Sequence, residues 1–122
     1  MIKVILDANF LIYCAEQKID YKEEIARLMT EGYELVVPEG VIKELESLSK
    51  NSKKYSDKVA AGLASKLLAV NNVKITKSKA RNVDNDIINE SEGNIVATLD
   101  LGLRDKVNNV IVIKGKKKLG FG

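Results

Sequence analysis

The chain has 122 residues, 45% of them hydrophobic and 30% charged, with a formal net charge of +3. That composition excludes a disordered polymer and suits a single domain around one core, with residues 114–122 as a basic tail. Histidine is absent and Cys14 is the only cysteine, which excludes histidine-based nucleophile pairs, histidine zinc sites and an internal disulfide.

In chain order, Ile2 to Leu6 is an apolar run that predicts a buried strand, and Phe10 to Glu16 predicts a helix. Cys14 falls among Phe10, Leu11, Ile12 and Tyr13, the setting of a buried inert thiol. Tyr21 to Glu31 reads as a second helix, with Ile25, Leu28 and Met29 on one face and Gly32 as its stop. Glu34 to Val37 is a strand. Pro38 ends it and opens a helix carrying Val41, Ile42, Leu45 and Leu48.

Asn51 to Tyr55 reads as a polar, lysine-rich loop, and Ser56 as the cap of a long amphipathic helix through Leu68. Val73 to Thr76 is a short strand and Lys77 to Asn82 a polar connector. Asp84 to Glu92 is a helix stopped by Gly93. Asn94 to Leu99 is a strand, Leu101 to Val107 a short helix and Val110 to Ile113 the last strand. The basic, glycine-containing tail reads as partly disordered. Five strands alternating with helices predict an α/β protein of three layers, α/β/α, with a mainly parallel sheet. No apolar run approaches the ~20 residues of a membrane helix, and the start lacks the pattern of a secretory signal. A cytoplasmic protein is the expectation.

Without histidine, carboxylates must carry the chemistry, most naturally with a hard oxygen-loving cation such as Mg²⁺ or Mn²⁺. Asp7 and Asp100 each follow directly on a strand. Parallel strands point the same way, so both acids belong to the carboxyl edge of the sheet, where open α/β sheets bind ligands. Each could equally cap the helix that follows it. Glu44 and Glu46 flank the apolar stripe of their helix, and periodicity does not choose between them. Helical spacing puts Asp84 on the face of Ile87, Ile88 and Ser91 and turns Asp86 toward solvent. Asp84 could instead be an exposed first-turn residue favoured by the helix dipole. Acids pooled at one edge would repel unless cations neutralised them, and with such ions they would form a phosphodiester hydrolase site.

The segment Leu6-Asp7-Ala8-Asn9-Phe10-Leu11 resembles the first motif of PIN-domain nucleases. Val36 to Leu45 resembles the second, with Glu44 at the acidic position, and Ile95 to Asp100 resembles the last, with Thr98 and Asp100 in place. This resemblance selects Glu44 over Glu46. It implies a PIN-like fold and an Mg²⁺- or Mn²⁺-dependent endoribonuclease of toxin (VapC) or RNA-processing type. It also implies a homodimer and, for a toxin, an antitoxin partner. Asp7, Glu44, Asp84 and Asp100 would hold the ions, with Asn9 and Thr98 orienting ligands or water. Lys50, Lys53, Lys54, Lys116 and Lys117 would contact RNA. Related sequences often have Asp where this chain has Asn85, and a further acid where it has Gly102. Those differences leave a second expectation open, a PIN-fold RNA- or protein-binding module without turnover.

Overall fold

The computed structural model describes residues 1–122. In chain order the elements are β1 (Ile2–Leu6), α1 (Ala8–Gln17), α2 (Tyr21–Leu28), β2 (Tyr33–Pro38), α3 (Glu39–Asn51), α4 (Tyr55–Val70), β3 (Lys74–Thr76), α5 (Val83–Glu90), β4 (Ile95–Ala97), α6 (Leu101–Arg104), β5 (Val110–Gly115) and β6 (Lys118–Phe121). One six-stranded sheet runs in the order β3-β2-β1-β4-β5-β6. The first five of these strands are mutually parallel.

The central strands β1 and β4 are short, apolar and rich in β-branched residues, so both of their faces can be covered. Alternation along each strand sends neighbouring side chains to opposite sides. Val4 and Leu6 of β1 pack with Phe10, Leu11, Ile25, Val41, Leu45 and Ala64 from α1, α2, α3 and α4. Ile5 between them packs the other way, with Val36, Val96, Ile87 and Leu103 under α5 and α6. This is the three-layer α/β/α arrangement expected from the sequence. Cys14 is buried in the larger core, and loss of solvation pushes its thiol up to about 12, consistent with an inert packing role.

The chain builds outward from β1 to β2 and β3, then returns to place β4 on the other side of β1. The connections therefore diverge between β1 and β4, the switch point at which an open parallel sheet leaves a crevice at its carboxyl edge. Asp7 follows β1 and Asp100 lies three residues after β4, so both acids border that crevice.

Two expectations need correction. The tail is ordered: β6 pairs antiparallel with β5, matching Ile111 to Phe121 and Ile113 to Leu119, which makes the sheet six-stranded rather than five. Leu119 is buried, its N–H donates to Glu24 Oε1 at 3.0 Å, and its carbonyl accepts from Arg27 at 2.9 Å. The lysines that made the segment look like a solvated tail cluster at the β5–β6 turn. The helix expected to start at Ser56 instead begins at Tyr55, with Lys54 before it and no side-chain cap. No helix is long and apolar enough to cross a membrane.

Candidate active site

Asp7 is both a helix cap and a buried acid. Its Oδ1 accepts the Ala8 N–H at 2.9 Å, and its Oδ2 accepts the Thr98 hydroxyl at 2.7 Å. It is 6% exposed. Burial pushes its carboxyl above the usual carboxylate range. The Thr98 and Ala8 donors oppose that rise, and the negative charges of Asp84 and Asp100 add to it. The cap and site roles therefore coexist in one side chain.

Thr98 is fully buried and joins the two strand-end acids. Its hydroxyl donates to Asp7 and accepts the Asp100 N–H at 3.1 Å. Asn9 Oδ1 accepts the Leu99 N–H at 3.1 Å, so Asn9 ties the start of α1 to the loop after β4. Asp100 caps α6: its Oδ1 accepts the N–H groups of Gly102 and Leu103 at 2.9 and 3.2 Å. Its second oxygen accepts no bond within the chain.

A cleft of about 550 Å³ opens over these residues, lined by Glu44, Asp84 and Asp100 with Asn82, Asn85 and Lys106. Glu44 comes from the second turn of α3 and Asp84 from the first turn of α5. Partial burial raises the Glu44 carboxyl, and the charges of Asp7 and Asp84 raise it further. These mutual effects place all four acids within one electrostatic group. The chain's ion pairs, Lys3–Glu90, Arg27–Glu24 and Lys74–Glu34, all lie elsewhere.

The helix-wheel assignment of Asp86 is overturned. Asp84 is exposed at the cleft, while Asp86, expected in solvent, is buried. Asp86 Oδ1 accepts the N–H groups of Lys79 and Ala80 at 2.8 and 2.7 Å. Burial pushes its carboxyl up, but these donors outweigh burial and hold it below the usual range. The physical reason is that the 77–82 segment folds back over α5, a contact that the helix's own periodicity does not encode. The helix also starts one residue earlier than expected, because Asn82 caps it by accepting the Asn85 N–H at 2.8 Å.

The donors are all oxygen, which suits a hard divalent cation. No three acids stand close enough together to hold an ion as they are placed. Two of the four, Glu44 and Asp84, are exposed and accept no hydrogen bond within the chain, so their rotamers are not fixed by partners. The donor chemistry thus fits the ion, and side-chain closure is left to these two.

The expected RNA-contacting lysines lie away from the cleft. Lys50 is in the last turn of α3, about 9 Å along the helix from Glu44 at 1.5 Å per residue. Lys53 and Lys54 occupy the α3–α4 connection. Lys116 and Lys117 form the β5–β6 turn beside Tyr13 and Gln17, near the end of α1 remote from Asp7, about 15 Å along that helix. Lys106, together with Asn82 and Asn85, lines the cleft and was not singled out from the sequence. A lone lysine near a helix end carries no periodic signal.

The Thr98 link has a measurable consequence. Thr98→Val removes the donor that lowers the Asp7 carboxyl, so Asp7 should lose its proton at higher pH. If RNA cleavage is the activity, the acid limb of its pH–rate profile should move upward, with divalent-ion affinity falling about 10–100-fold. Rates measured across the acid range in wild type and variant check this. An unmoved limb would separate Asp7 ionisation from turnover.

Comparisons with known proteins agree with this fold. Residues 4–118 match the model of a PIN-like domain. The chain is 38% identical over 127 residues to Ribonuclease VapC4 of Methanocaldococcus jannaschii, covering 99% of this chain and 95% of that protein. The solved PIN domain endonuclease Utp24 superposes with a TM-score of 0.78 at 19% identity, covering 98% of this chain and 90% of that one. A domain of a functionally unknown protein from M. jannaschii superposes with a TM-score of 0.58 at 16% identity, covering 94% and 93%. With the fold and a sequence match across almost its whole length in agreement, the chain belongs to the PIN-like domain family.

Proposed function

We propose that the protein is an endoribonuclease that hydrolyses RNA phosphodiester bonds with Mg²⁺ or Mn²⁺. The observation that carries this reading is that Glu44, Asp84 and Asp100 line one cleft at the sheet's switch point, with the buried Asp7 within reach of their charges. The similarity to a protein named as a ribonuclease supports it. These four acids would hold the ions, and bound metal would acidify an attacking water and stabilise the leaving oxygen. Thr98 and Asn9 hold Asp7, the Leu99 turn and Asp100 in register. Lys50, Lys53, Lys54, Lys116 and Lys117 would meet more distant parts of the RNA. The physiological role proposed is that of a VapC-type toxin with an antitoxin partner, or of an RNA-processing nuclease, acting as a homodimer.

Single-stranded RNA incubated with the purified chain should be cut when Mn²⁺ or Mg²⁺ is supplied. Excess chelator should abolish cutting, and added metal should restore it. Cleavage that persists at full rate in chelator would overturn the metal-dependent mechanism.

One observation favours a second reading, an RNA-binding module without turnover. The acids do not converge on a common ion position as they are placed. Salt-dependent RNA binding with no cutting under any divalent ion would establish that reading instead.

A further inference from the structure

We infer that Lys106 is a further catalytic residue, its ammonium contacting a non-bridging oxygen of the RNA phosphate on which the acids act. The inference rests on the ribonuclease reading for its choice of substrate. It deepens that reading by naming the protein group that meets the charge of the reacting phosphate.

Lys106 is the only cation lining the acid cleft, which it shares with Glu44, Asp84 and Asp100. It is exposed and belongs to no ion pair, although three carboxylates line the same space. Its charge does not relieve the neighbouring acids at a distance either. The charges acting on Asp7 and Glu44 are all negative, and both carboxyls stay raised. The ammonium and the acids thus share one cleft without neutralising each other.

The α6 turn fixes where Lys106 stands. Asp100 opens that turn, its side chain accepting the Gly102 and Leu103 N–H groups and its carbonyl the Arg104 N–H at 2.9 Å. At the far end the Lys106 N–H donates to the Leu103 carbonyl at 3.0 Å. Leu103 is buried, and Val107 packs against the same small core. One anchored turn therefore carries an acid at its start and a cation at its end, both on the cleft. The backbone is set beforehand, and the flexible lysine stem lets the ammonium follow a phosphate. Arg104, on the same turn, does not line the cleft.

A phosphodiester brings negative charge into a cleft walled by carboxylates, and that charge must be met where it sits. The remaining polar groups of the wall offer little. Asn82 and Asn85 are neutral, and Gly102 has no side chain. Lys106 is the one charged protein donor available there, and such a donor counts most in a partly enclosed site. It forms no covalent bond and moves no proton; its contribution is electrostatic. The distant Lys116 and Lys117 turn does not share that position.

Binding and turnover are measured separately. Binding of a short fluorescein-labelled single-stranded RNA is read by anisotropy across a salt series, in chelator, with the Asp7→Asn chain as parent so that RNA is not consumed. Adding Lys106→Ala should lower the log–log salt slope by about 0.7, the value of one phosphate contact, and Lys106→Arg should restore it. In the otherwise wild-type chain with saturating Mn²⁺, Lys106→Ala should lower kcat about 100-fold and change KM by less than about tenfold. Lys106→Arg should recover most of that loss. Mn²⁺ should raise the Tm of Lys106→Ala at least as far as that of wild type, because no ion ligand is removed. Arg104→Ala should change none of these quantities. An unchanged slope, an unchanged kcat, a rise in KM alone or a lost Mn²⁺ shift in Lys106→Ala would each overturn the inference, as would a parent that binds no RNA. Wild type that cuts nothing under any divalent ion, while Lys106→Ala still lowers the slope, would overturn the nuclease reading and leave the phosphate contact. Cleavage by wild type and Lys106→Ala at one rate would overturn the role of Lys106 alone.

Discussion

Asp7→Asn should abolish RNA cleavage, by more than about 100-fold, without destabilising the metal-free protein. The loss exceeds the 10–100-fold typical of residues that only support a metal ligand, because Asp7 is proposed to hold the ion directly. The stability half follows from burial. Asp7 is 6% exposed and its carboxyl is raised above the ordinary value. A raised carboxyl means that the folded state holds its proton more tightly than the unfolded chain does. The associated stability is present below the unfolded pKa and is lost as pH rises through the folded one. Above that window the charge opposes folding until a cation neutralises it. Asparagine keeps the shape and an oxygen for the Ala8 N–H, and Thr98 can turn its hydroxyl to accept from the new amide. Thermal unfolding in chelator should therefore give a Tm no lower than wild type. Added Mn²⁺ should raise the wild-type Tm through linkage and leave the variant's much less changed. A strong drop in the variant's Tm in chelator would make Asp7 a structural residue first.

Gly40→Ala should harm both folding and activity, although it adds one methyl group at a helix start. A Cβ at Gly40 would lie 2.6 Å from Val83 Cγ2 and 3.5 Å from Ser78 Oγ. Val83 is β-branched and packs against both core clusters, so it cannot swing aside freely. The strain must move the start of α5, and with it Asp84, away from α3 and Glu44. Overpacking of this kind costs about 1–3 kcal/mol. A displacement near 1 Å at a reacting centre lowers rates by about 100-fold. Gly62→Ala is the matched control: no atom lies within 4 Å of its new Cβ, and alanine should stabilise α4 by up to about 1 kcal/mol. Urea midpoints and cleavage rates for the pair decide the matter. Wild-type behaviour in Gly40→Ala would show that α5 can shift without consequence for the site.

Much of this arrangement was legible in the chain because it is written locally. Strand runs such as Val4-Ile5-Leu6 and Val110 to Ile113 declare themselves by apolar continuity, and the strand-end positions of Asp7 and Asp100 follow from them. Resemblance to the PIN family then chose Glu44, which periodicity had left tied with Glu46. The misplaced residues share a physical cause. Asp86 is buried by a segment that precedes its helix, and β6 exists because β5 and the Glu24–Arg27 pair give it partners. Each depends on contacts between residues distant along the chain or folded back across it. Neither helical nor strand periodicity can report such contacts.

The strand order carries a consequence for the timing of synthesis. β4, near the end of the chain, lies between β1 and β5 at the middle of the sheet, and Thr98 just beyond it clasps Asp7 near the start. A growing chain can pair β1 with β2 early, yet it lacks the side chain that completes the switch-point crevice until residue 100 has emerged. The acid cluster therefore cannot form until the segment through Asp100 has emerged. Whatever chemistry it performs waits on that segment by topology alone.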